Sequence, residues 1–389
     1  MSYSNRTALV GATVVLPDAA LENQAVVVNG GVIEAIQPLG ALPSDIARLD
    51  LGGGYLAPGL IDIHGHGADR CGFNEGTTAA FLTAGRKLLA EGVTTCLPTL
   101  ASAPLEDMLR ALAVLREVRG EPGLPAMPGA HLEGPYFSLE QRGAQSIPAL
   151  RHPDDGSVDR FLEVADIIRM ISYAPELPGA VELTRRLVAA GIVAAAGHSN
   201  GTDEDLARCQ AAGLSHVIHI YSGQSTTIRR GPWRVPGMLE ATLASSGLTV
   251  EMIADGRHLP DTLMRVAYRC LKGNLCLVSD ATAGAGLEEG TVYQIGEERF
   301  QVENGVGVTM DRTAFAGSTT LLPRMLPIAY RSLGVTVPEV VAMVTDIPAR
   351  AVRLAGVGRL APGYRADFVH LDEGLNVVGV AQAGVWLDR

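Results

Sequence analysis

Residues 59–67 read GLIDIHGHG, and in this stretch an apolar segment ends in two histidines. His64 and His66 are two positions apart, so in an extended strand both imidazoles project from the same face. Side-by-side imidazoles at a strand end suit a borderline cation such as Zn²⁺ or Fe²⁺. The alternative is a pair of polar residues on an exposed turn. The pattern predicts a metal-binding strand end.

Four more candidate residues follow apolar stretches further along the chain: Glu133 in HLEGP, His198 in GIVAAAGHS, His219 in HVIHIYSG and Asp280 in NLCLVSD. Each of these residues also has an ordinary structural explanation. The glutamate could form an ion pair with an arginine such as Arg142, and a lone histidine could simply pack in the core. The aspartate could belong to a turn or cap a helix. Six such residues at predicted strand ends are nevertheless typical of a metal-dependent hydrolase on a β/α barrel. An aspartate at the last strand can take a proton from the attacking water and return it to the leaving group.

Two further histidines lie close to these candidates. His131 precedes Glu133 by two residues and could be a ligand, although we expect it rather to support the site or to pack beside it. His216 and His219 are three apart on one predicted strand, so they should face opposite ways. We therefore predict that His219 points into the barrel and that His216 is structural.

The order of apolar and helical patterns predicts an α/β fold. From residue 58 to about 356, near-continuous apolar strands alternate with helical segments, which favours a (β/α)8 TIM barrel whose strands are buried on both faces. The first 57 residues and residues 357–389 read as short strands that are each too few to form a core. The two chain ends are therefore expected to pair into one small β-sandwich domain.

Composition narrows the class of partner. The formal net charge is −11 with no basic block to offset it, which argues against nucleic acid and against anionic membranes. Five cysteines form no CxxC pair, which favours a reducing compartment. The N-terminus lacks the pattern of a signal peptide, and no apolar stretch approaches the ~20 residues of a membrane span. We expect a cytoplasmic protein.

The chain resembles the N-acetylglucosamine-6-phosphate deacetylases of the amidohydrolase superfamily along essentially its whole length. The motifs that carry the resemblance are PGLIDIHGHG (58–67), HLEGPYFS (131–138), RGAQ (142–145), APE (174–176), GHSN (197–200), HVIHIYSG (216–223), IADGRH (253–258), LVSDATAGAG (277–286), FAGS (315–318) and GRLAPGYRADFVHLD (358–372). In combination these motifs are highly specific for the family.

The resemblance implies a role for each matching residue. Glu133, His198 and His219 would hold a tightly bound divalent metal, with zinc as the first candidate and iron as the second. His64 and His66 would complete a second metal position alongside Glu133. Asp280 would be the general base and acid, and His258 would bind the sugar. The resemblance also suggests a homodimer whose subunits share active-site residues.

One segment departs from the family pattern. After the histidine at 219 the family has an Asn-Ala-Met run that helps to cradle a sugar phosphate, whereas this chain has Ser222 and Gly223 within YSGQS, followed by TTIRRGPWRVPG. Gln145 stands where some members have a histidine near the substrate. Arg229 or Arg230 would then bind the phosphate, and together with Arg234 and Arg257 they form a local basic cluster that suits an anionic sugar. Trp233 in the same segment either stacks on a sugar ring or packs the loop.

The resulting first hypothesis is hydrolysis of the N-acetyl amide of an amino sugar, from N-acetylglucosamine 6-phosphate to glucosamine 6-phosphate and acetate. A deacetylase for an unphosphorylated or otherwise acidic N-acetyl sugar is the second. A cyclic amidase or dipeptidase of the superfamily is a third, although such enzymes often use a carboxylated lysine and the chain has only Lys87 and Lys272, both in helical patterns. A non-catalytic scaffold protein is the last, and the presence of all six candidate residues argues against it.

Overall fold

The N-terminal part of the chain is made of short strands. The computed structural model describes residues 6–295 and 298–387. Seven strands come first: β1 (Arg6–Val10), β2 (Thr13–Val15), β3 (Ala20–Leu21), β4 (Gln24–Asn29), β5 (Val32–Pro38), β6 (Ala47–Asp50) and β7 (Tyr55–Pro58). Four of them form a sheet in the order β5-β4-β1-β6. The Asn29-Gly30 turn joins β4 to β5, with Gly30 in the left-handed region at φ +57°.

Strands and helices then alternate along the chain. In order they are β8 (Leu60–Gly65), β9 (Gly67–Ala68), β10 (Cys71–Gly72), α1 (Thr78–Glu91), β11 (Val93–Ala101), α2 (Leu105–Val118), β12 (Ala130–Glu133), α3 (Ser157–Leu162), β13 (Ile168–Tyr173), α4 (Ala180–Ala189), β14 (Val193–Ala196), α5 (Asp203–Ala211), β15 (His216–Val217), β16 (Ile228–Arg230), β17 (Trp233–Val235), α6 (Met238–Ala244), β18 (Thr249–Met252), α7 (Asp261–Leu271) and β19 (Leu275–Leu277).

Eight of these strands form one parallel sheet in the order β8-β11-β12-β13-β14-β15-β18-β19. The sheet curls until its ends meet, and the Asp280 amide donates a 2.8 Å hydrogen bond to the His64 carbonyl across the seam. The barrel predicted from the alternation of strands and helices is therefore confirmed.

Two smaller strand units follow or interrupt the barrel. The hairpin β16–β17 lies between β15 and α6, and its residues 226–234 are exposed. After β19 an antiparallel sheet is built from β20 (Val292–Ile295), β21 (Glu298–Glu303), β22 (Val306–Thr309) and β23 (Phe315–Ser318). Three helices come next: α8 (Leu322–Leu333), α9 (Val337–Met343) and α10 (Asp346–Ala351).

The C-terminal strands return to the N-terminal end of the chain. They are β24 (Phe368–Leu371), β25 (Val377–Gln382) and β26 (Val385–Trp386). Strand β24 runs antiparallel to β7, with Phe368 opposite Pro58, so both chain ends contribute to a six-stranded sheet in the order β26-β25-β24-β7-β2-β3. An apolar core that includes Val14, Val26 and Phe368 lies between this sheet and the four-stranded one. The sandwich expected from the two β-rich ends is confirmed.

Local sequence sets where the barrel helices begin and end. Helix α1 begins where the Thr77 hydroxyl accepts from the Ala80 amide. Its C-terminal end is capped by Gly92, whose φ of +113° few other residues adopt. Helix α5 begins with a capping box, in which the Asp205 carboxylate accepts from the Thr202 amide at 2.8 Å. Among the described residues, no helix is both long and apolar enough to cross a membrane.

Candidate active site

Glu133 is at the centre of a cluster of buried side chains at the C-terminal ends of the barrel strands. Its Oε1 lies 2.9 Å from His219 Nε2 and 3.1 Å from His198 Nε2. Its Oε2 lies 3.3 Å from His66 Nε2, and His64 Nε2 is 3.6 Å from Oε1. One carboxylate therefore contacts four imidazoles that come from three other strand ends.

Asp280 joins the same cluster from the last barrel strand. Its Oδ1 lies 3.2 Å from His66 Nε2 and 3.6 Å from His64 Nε2. Among the described residues, potential ligand atoms form three overlapping sets of three: His64, Glu133 and His219; His64, His66 and Asp280; and His64, His131 and Glu251. The structure thus brings together all six residues that the sequence singled out.

The backbone is strained at two of these positions. His198 and Asp280 have φ values of +43° and +44°, in a left-handed region that residues other than glycine rarely adopt. Such strain persists only where the surrounding structure enforces it, and it is concentrated at functional sites. Gly223, at φ +58°, faces His198 so closely that an added Cβ would lie 2.7 Å from His198 Nδ1. Glycine at 223 therefore lets the YSGQS loop approach the imidazole.

The buried charges compensate one another. Burial lowers the pKa of His66, but hydrogen bonds with Asp280 and Glu133 outweigh it and raise that pKa to about 9. Burial also opposes protonation of His64, yet the charge of Glu251 and the contact with Glu133 raise its pKa well above the ordinary value. Burial raises the pKa of Glu133, but four histidine contacts hold it well below the ordinary range. The raised pKa values favour protonated imidazoles at His64 and His66 beside these carboxylates.

The donor set fits a divalent metal. His64 Nε2 is buried, and among the described residues it makes no hydrogen bond although it faces two carboxylates. An unsatisfied buried nitrogen is costly unless a ligand takes it up. Imidazole nitrogens and carboxylate oxygens, without a nearby thiolate, are the ligands expected for zinc or non-haem iron.

Each half of the cluster has a residue that orients a histidine from behind. The Gln141 carbonyl lies 2.8 Å from His198 Nδ1. Glu251 lies 2.7 Å from His64 Nδ1, and sequence analysis missed this glutamate. The available signal was a charged residue at an inner position of the apolar strand TVEMIA, where it can persist only if it is paired.

The prediction that His216 and His219 face opposite ways is wrong, whereas His219 points into the barrel as predicted. His216 Nε2 lies 2.9 Å from Glu251 Oε1 and His219 Nε2 lies 2.9 Å from Glu133 Oε1, so both rings contact the barrel interior. The regular strand β15 ends at Val217, and the chain turns before His219. The two-residue alternation of a strand therefore does not reach the second histidine. His131 hydrogen-bonds Ser172 Oγ at 2.8 Å and packs against the His64 ring.

A cavity of about 1090 Å³ opens above the cluster. Of the predicted substrate-binding residues, Gln145, Ser222, Gly223 and His258 line it. Gln145 also donates to Glu133 Oε2 at 2.6 Å, while His258 is held by Asp255 at 2.7 Å. Opposite the cluster, the cavity wall is formed by the β20–β23 sheet, whose Phe315 ring lies 4.9 Å from that of His258.

The predicted arginines lie elsewhere. Arg229 and Arg230 are exposed on the β16–β17 hairpin, Arg257 is exposed beside His258, and none of the three lines the cavity of its own chain. The arginines that do line it are Arg70, Arg110 and Arg299.

The lysines are also distant from the cluster. Lys87 on α1 pairs with Glu91, and Lys272 follows α7 at the surface. A carboxylated lysine is therefore excluded as a bridging metal ligand.

Comparison with known proteins agrees with this geometry. The model of the amidohydrolase family matches residues 55–387, and that of the NagA composite domain matches residues 8–56. The N-acetylgalactosamine-6-phosphate deacetylase of Escherichia coli O157:H7 is 32% identical over 361 residues, which covers 92% of this chain and 93% of that protein.

Two solved structures are similar along their whole length. The N-acetylglucosamine-6-phosphate deacetylase from Pasteurella multocida has a TM-score of 0.92 and 28% identity, covering 99% of this chain and 100% of that one. A mutant of the enzyme from Mycobacterium smegmatis, in complex with N-acetyl-D-glucosamine-6-phosphate, has a TM-score of 0.91 and 31% identity, covering 98% and 99%.

Proposed function

The chain belongs to the amidohydrolase family, and on that basis we propose that it hydrolyses the N-acetyl amide of N-acetylglucosamine 6-phosphate to acetate and glucosamine 6-phosphate. The observation that carries the proposal is the convergence of four imidazoles and Asp280 on the buried carboxylate of Glu133. The names of the relatives support an amino-sugar phosphate as substrate. N-acetylgalactosamine 6-phosphate, the epimer of this sugar phosphate, is the nearest variant of the proposed substrate.

Glu133, His198 and His219 would hold one metal ion, and His64, His66 and Asp280 would hold a second alongside Glu133. Zinc suits this donor set best, and iron is the second choice. When bound, such an ion polarises a carbonyl group and makes water acidic enough to supply hydroxide at neutral pH. The protein contributes the fixed positions of the ligands and of the group that moves the proton.

Asp280 is the group we assign to proton transfer. Burial raises the pKa of its carboxyl, but the hydrogen bond with His66 and the nearby charge of His64 outweigh this and lower it, so the group is ionised at neutral pH. Its Oδ1 can accept a proton from the attacking water and then deliver it to the departing nitrogen, without which an amide does not expel an amine. Asp280 faces the cavity and is close to Glu133.

His258, Gln145, Ser222 and Gly223 are proposed to bind the sugar and its amide. The Asp255 carboxylate accepts from His258 Nδ1 and leaves Nε2 for a sugar hydroxyl. The half-exposed Phe315 ring beside it offers an apolar surface for the sugar ring. Gln145 holds its carboxamide between Glu133 and the Ser102 amide.

We also propose a homodimer in which the β16–β17 hairpin contacts the partner subunit. Ile228 and Trp233 on this hairpin are 50% and 75% exposed, which is unusual for large apolar side chains. Through such a contact Arg229 and Arg230 would reach the partner's cavity rather than their own. The five cysteines have no disulfide partners, which supports a cytoplasmic location.

The arginine pair gives a prediction for substrate affinity. We expect the double variant Arg229→Ala/Arg230→Ala to raise KM for N-acetylglucosamine 6-phosphate about 10- to 100-fold, because the charge-assisted hydrogen bond that one of the two arginines would make to the phosphate is worth about 1.5–3 kcal/mol. KM for the neutral sugar should change little. The double variant Arg70→Ala/Arg299→Ala is the comparison, because it removes two arginines that line the cavity. A selective KM increase in that variant instead would contradict the assignment.

Metal binding should depend steeply on pH. Below pH 9 His66 carries a proton that a metal must displace, and the raised pKa of His64 adds a second. We therefore expect metal affinity to fall at least about tenfold for each unit by which pH is lowered from 8 to 6. Calorimetric titration of metal-free protein in two buffers of different ionisation enthalpy measures the proton release directly. Affinity that is constant across this range would contradict the charge balance described above.

The proposed activity is tested by acetate release from N-acetylglucosamine, N-acetylglucosamine 6-phosphate and N-acetylgalactosamine 6-phosphate, using protein whose metal content has been quantified. A clear preference for the glucosamine phosphate supports the proposal. Preference for its epimer or for the neutral sugar would contradict the substrate assignment. Absence of acetate release from all three would contradict the activity.

A further inference from the structure

Glu251 lies beneath the cluster of candidate metal ligands, on the inner face of β18. It is 0% exposed, as are the two histidines that it contacts. Its Oε2 is 2.7 Å from His64 Nδ1, and its Oε1 is 2.9 Å from His216 Nε2. The backbone amide of His219 donates to Oε2 at 3.3 Å. A carboxylate this deep in a barrel is tolerated because three donors surround it.

These contacts fix the proton on one side of His64. An ionised carboxylate only accepts hydrogen bonds, so His64 Nδ1 must carry a hydrogen and donate it to Glu251. His64 Nε2 is then the nitrogen left to ligate, and it faces Glu133 Oε1 and Asp280 Oδ1 at 3.6 Å each. Glu251 thus sets both the tautomer and the direction of this imidazole.

The four imidazoles around Glu133 are not supported equally. His198 is oriented by a neutral backbone carbonyl, that of Gln141. His66 Nδ1 and His219 Nδ1 find no hydrogen-bond partner within residues 6–295 and 298–387. Only His64, of these four, donates to a side-chain carboxylate behind it. The support of a charged group is therefore directed at the half of the cluster formed by His64, His66 and Asp280.

We propose that Glu251 is a positioning residue that determines occupancy of the second metal position, the one formed by His64, His66 and Asp280 alongside Glu133. A carboxylate behind a ligating histidine raises the basicity of the ring and holds its orientation, and removing such a partner typically costs 10- to 100-fold in metal affinity. The position built on Glu133, His198 and His219 should be affected far less. This inference rests on the metal-binding part of the proposed function.

The test is a metal titration of Glu251→Gln. The glutamine keeps the size of the side chain and can still accept from His64, but it removes the charge. Metal-free protein is titrated with Zn²⁺ against a chromophoric chelator, and bound metal is counted by elemental analysis. We expect two ions in the wild type, and in Glu251→Gln an unchanged first step with a second step weakened about 10- to 100-fold.

His216→Gln is the matched control, because it disturbs the other contact of Glu251 and leaves the bond to His64 in place. It should retain both ions. Should Glu251→Gln fail to fold, Glu251→Asp tests the contact instead of the charge, because it keeps the charge but withdraws the carboxylate from His64. It too should weaken the second step selectively.

A single ion in the wild type, equal weakening of both steps, or two unchanged steps would each overturn the proposal. The titration needs no substrate, so it can contradict the role of Glu251 while acetate release supports the proposed activity. Equally, the titration can support the role of Glu251 while no acetate is released.

Discussion

Replacement of Asp280 by asparagine is expected to lower kcat for acetate release by about 10²- to 10⁴-fold, the range that proton transfer by a positioned acid–base group contributes. The metal ion held by Glu133, His198 and His219 should stay bound, because Asp280 is not one of its ligands. The amide keeps an oxygen near His66 but cannot accept and return a proton. Asparagine also tolerates the left-handed backbone that Asp280 adopts at φ +44°. The variant should therefore differ from the wild type in chemistry rather than in fold.

The hydrogen bonds of the backbone at position 280 should be the same in the wild type and in Asp280→Asn. The Asp280 amide donates to the His64 carbonyl at 2.8 Å, and its own carbonyl accepts from Ser318 at 2.7 Å. Neither bond involves the side chain. Elemental analysis and single-turnover rates at saturating substrate separate loss of metal from loss of proton transfer. Residual kcat above about one-tenth of the wild type would be too high for the sole proton-transfer group, for which loss of about 10²-fold is the lower limit. Asp346→Asn, which changes a carboxylate bound to Arg350 and Arg359, serves as a control for general destabilisation.

Much of the barrel could be predicted from the sequence because its strands are short, apolar and followed by residues with chemical function. In GIVAAAGHS and NLCLVSD, a buried run stops directly before a histidine or an aspartate. Parallel strands of a barrel end on the same face, so residues at these ends must be neighbours even when they are far apart in sequence. This geometric rule is why His198 and Asp280 could be placed in one site without any knowledge of distances.

The errors and omissions have equally physical causes. The alternation rule failed at His219 because β15 ends two residues earlier, and strand length cannot be read from two histidines alone. Glu251 was missed because its partners, His64 and His216, come from other strands. The exposure of Arg229 and Arg230 depends on the β16–β17 hairpin, whose direction is set by tertiary packing. The local sequence pattern shows which residue stands at the end of a strand or helix. It gives little information on the conformation of the loops.

Strain and burial together indicate where the site resists change. His198 and Asp280 are the two positive-φ residues of the cluster, and each is fixed by backbone contacts to a neighbouring loop. The His198 carbonyl accepts from the Ser138 amide, and the Ser199 amide that follows donates to Gly223. The YSGQS loop, which departs from the family pattern, is therefore bonded directly to a metal-ligand strand end. A change of substrate through this loop would have to preserve that contact.

Glu133→Ala is expected to lose bound metal and activity together. The carboxylate contacts His64, His66, His198 and His219, so its removal leaves both proposed metal positions incomplete. Loss of a supporting group outside the ligand set already costs about 10- to 100-fold in metal affinity, and loss of a central ligand should exceed that range. Elemental analysis after dialysis and the rate of acetate release measure the two effects on one sample.

Gln145→Ala is the control for Glu133→Ala, because it changes a residue beside the proposed metal ligand and not the ligand itself. It removes the hydrogen bond to Glu133 Oε2 but leaves the carboxylate itself, so this variant should keep its metal.

If Glu133→Ala retained stoichiometric metal, the four imidazoles alone would define the site, and Glu133 would be an acceptor that balances their charge. That outcome is disfavoured because His64 and His66 need a nearby anion to hold their extra protons, and the same anion is what draws a divalent cation to this position. The carboxylate that stabilises protons in the metal-free chain is therefore the residue on which the metal most depends.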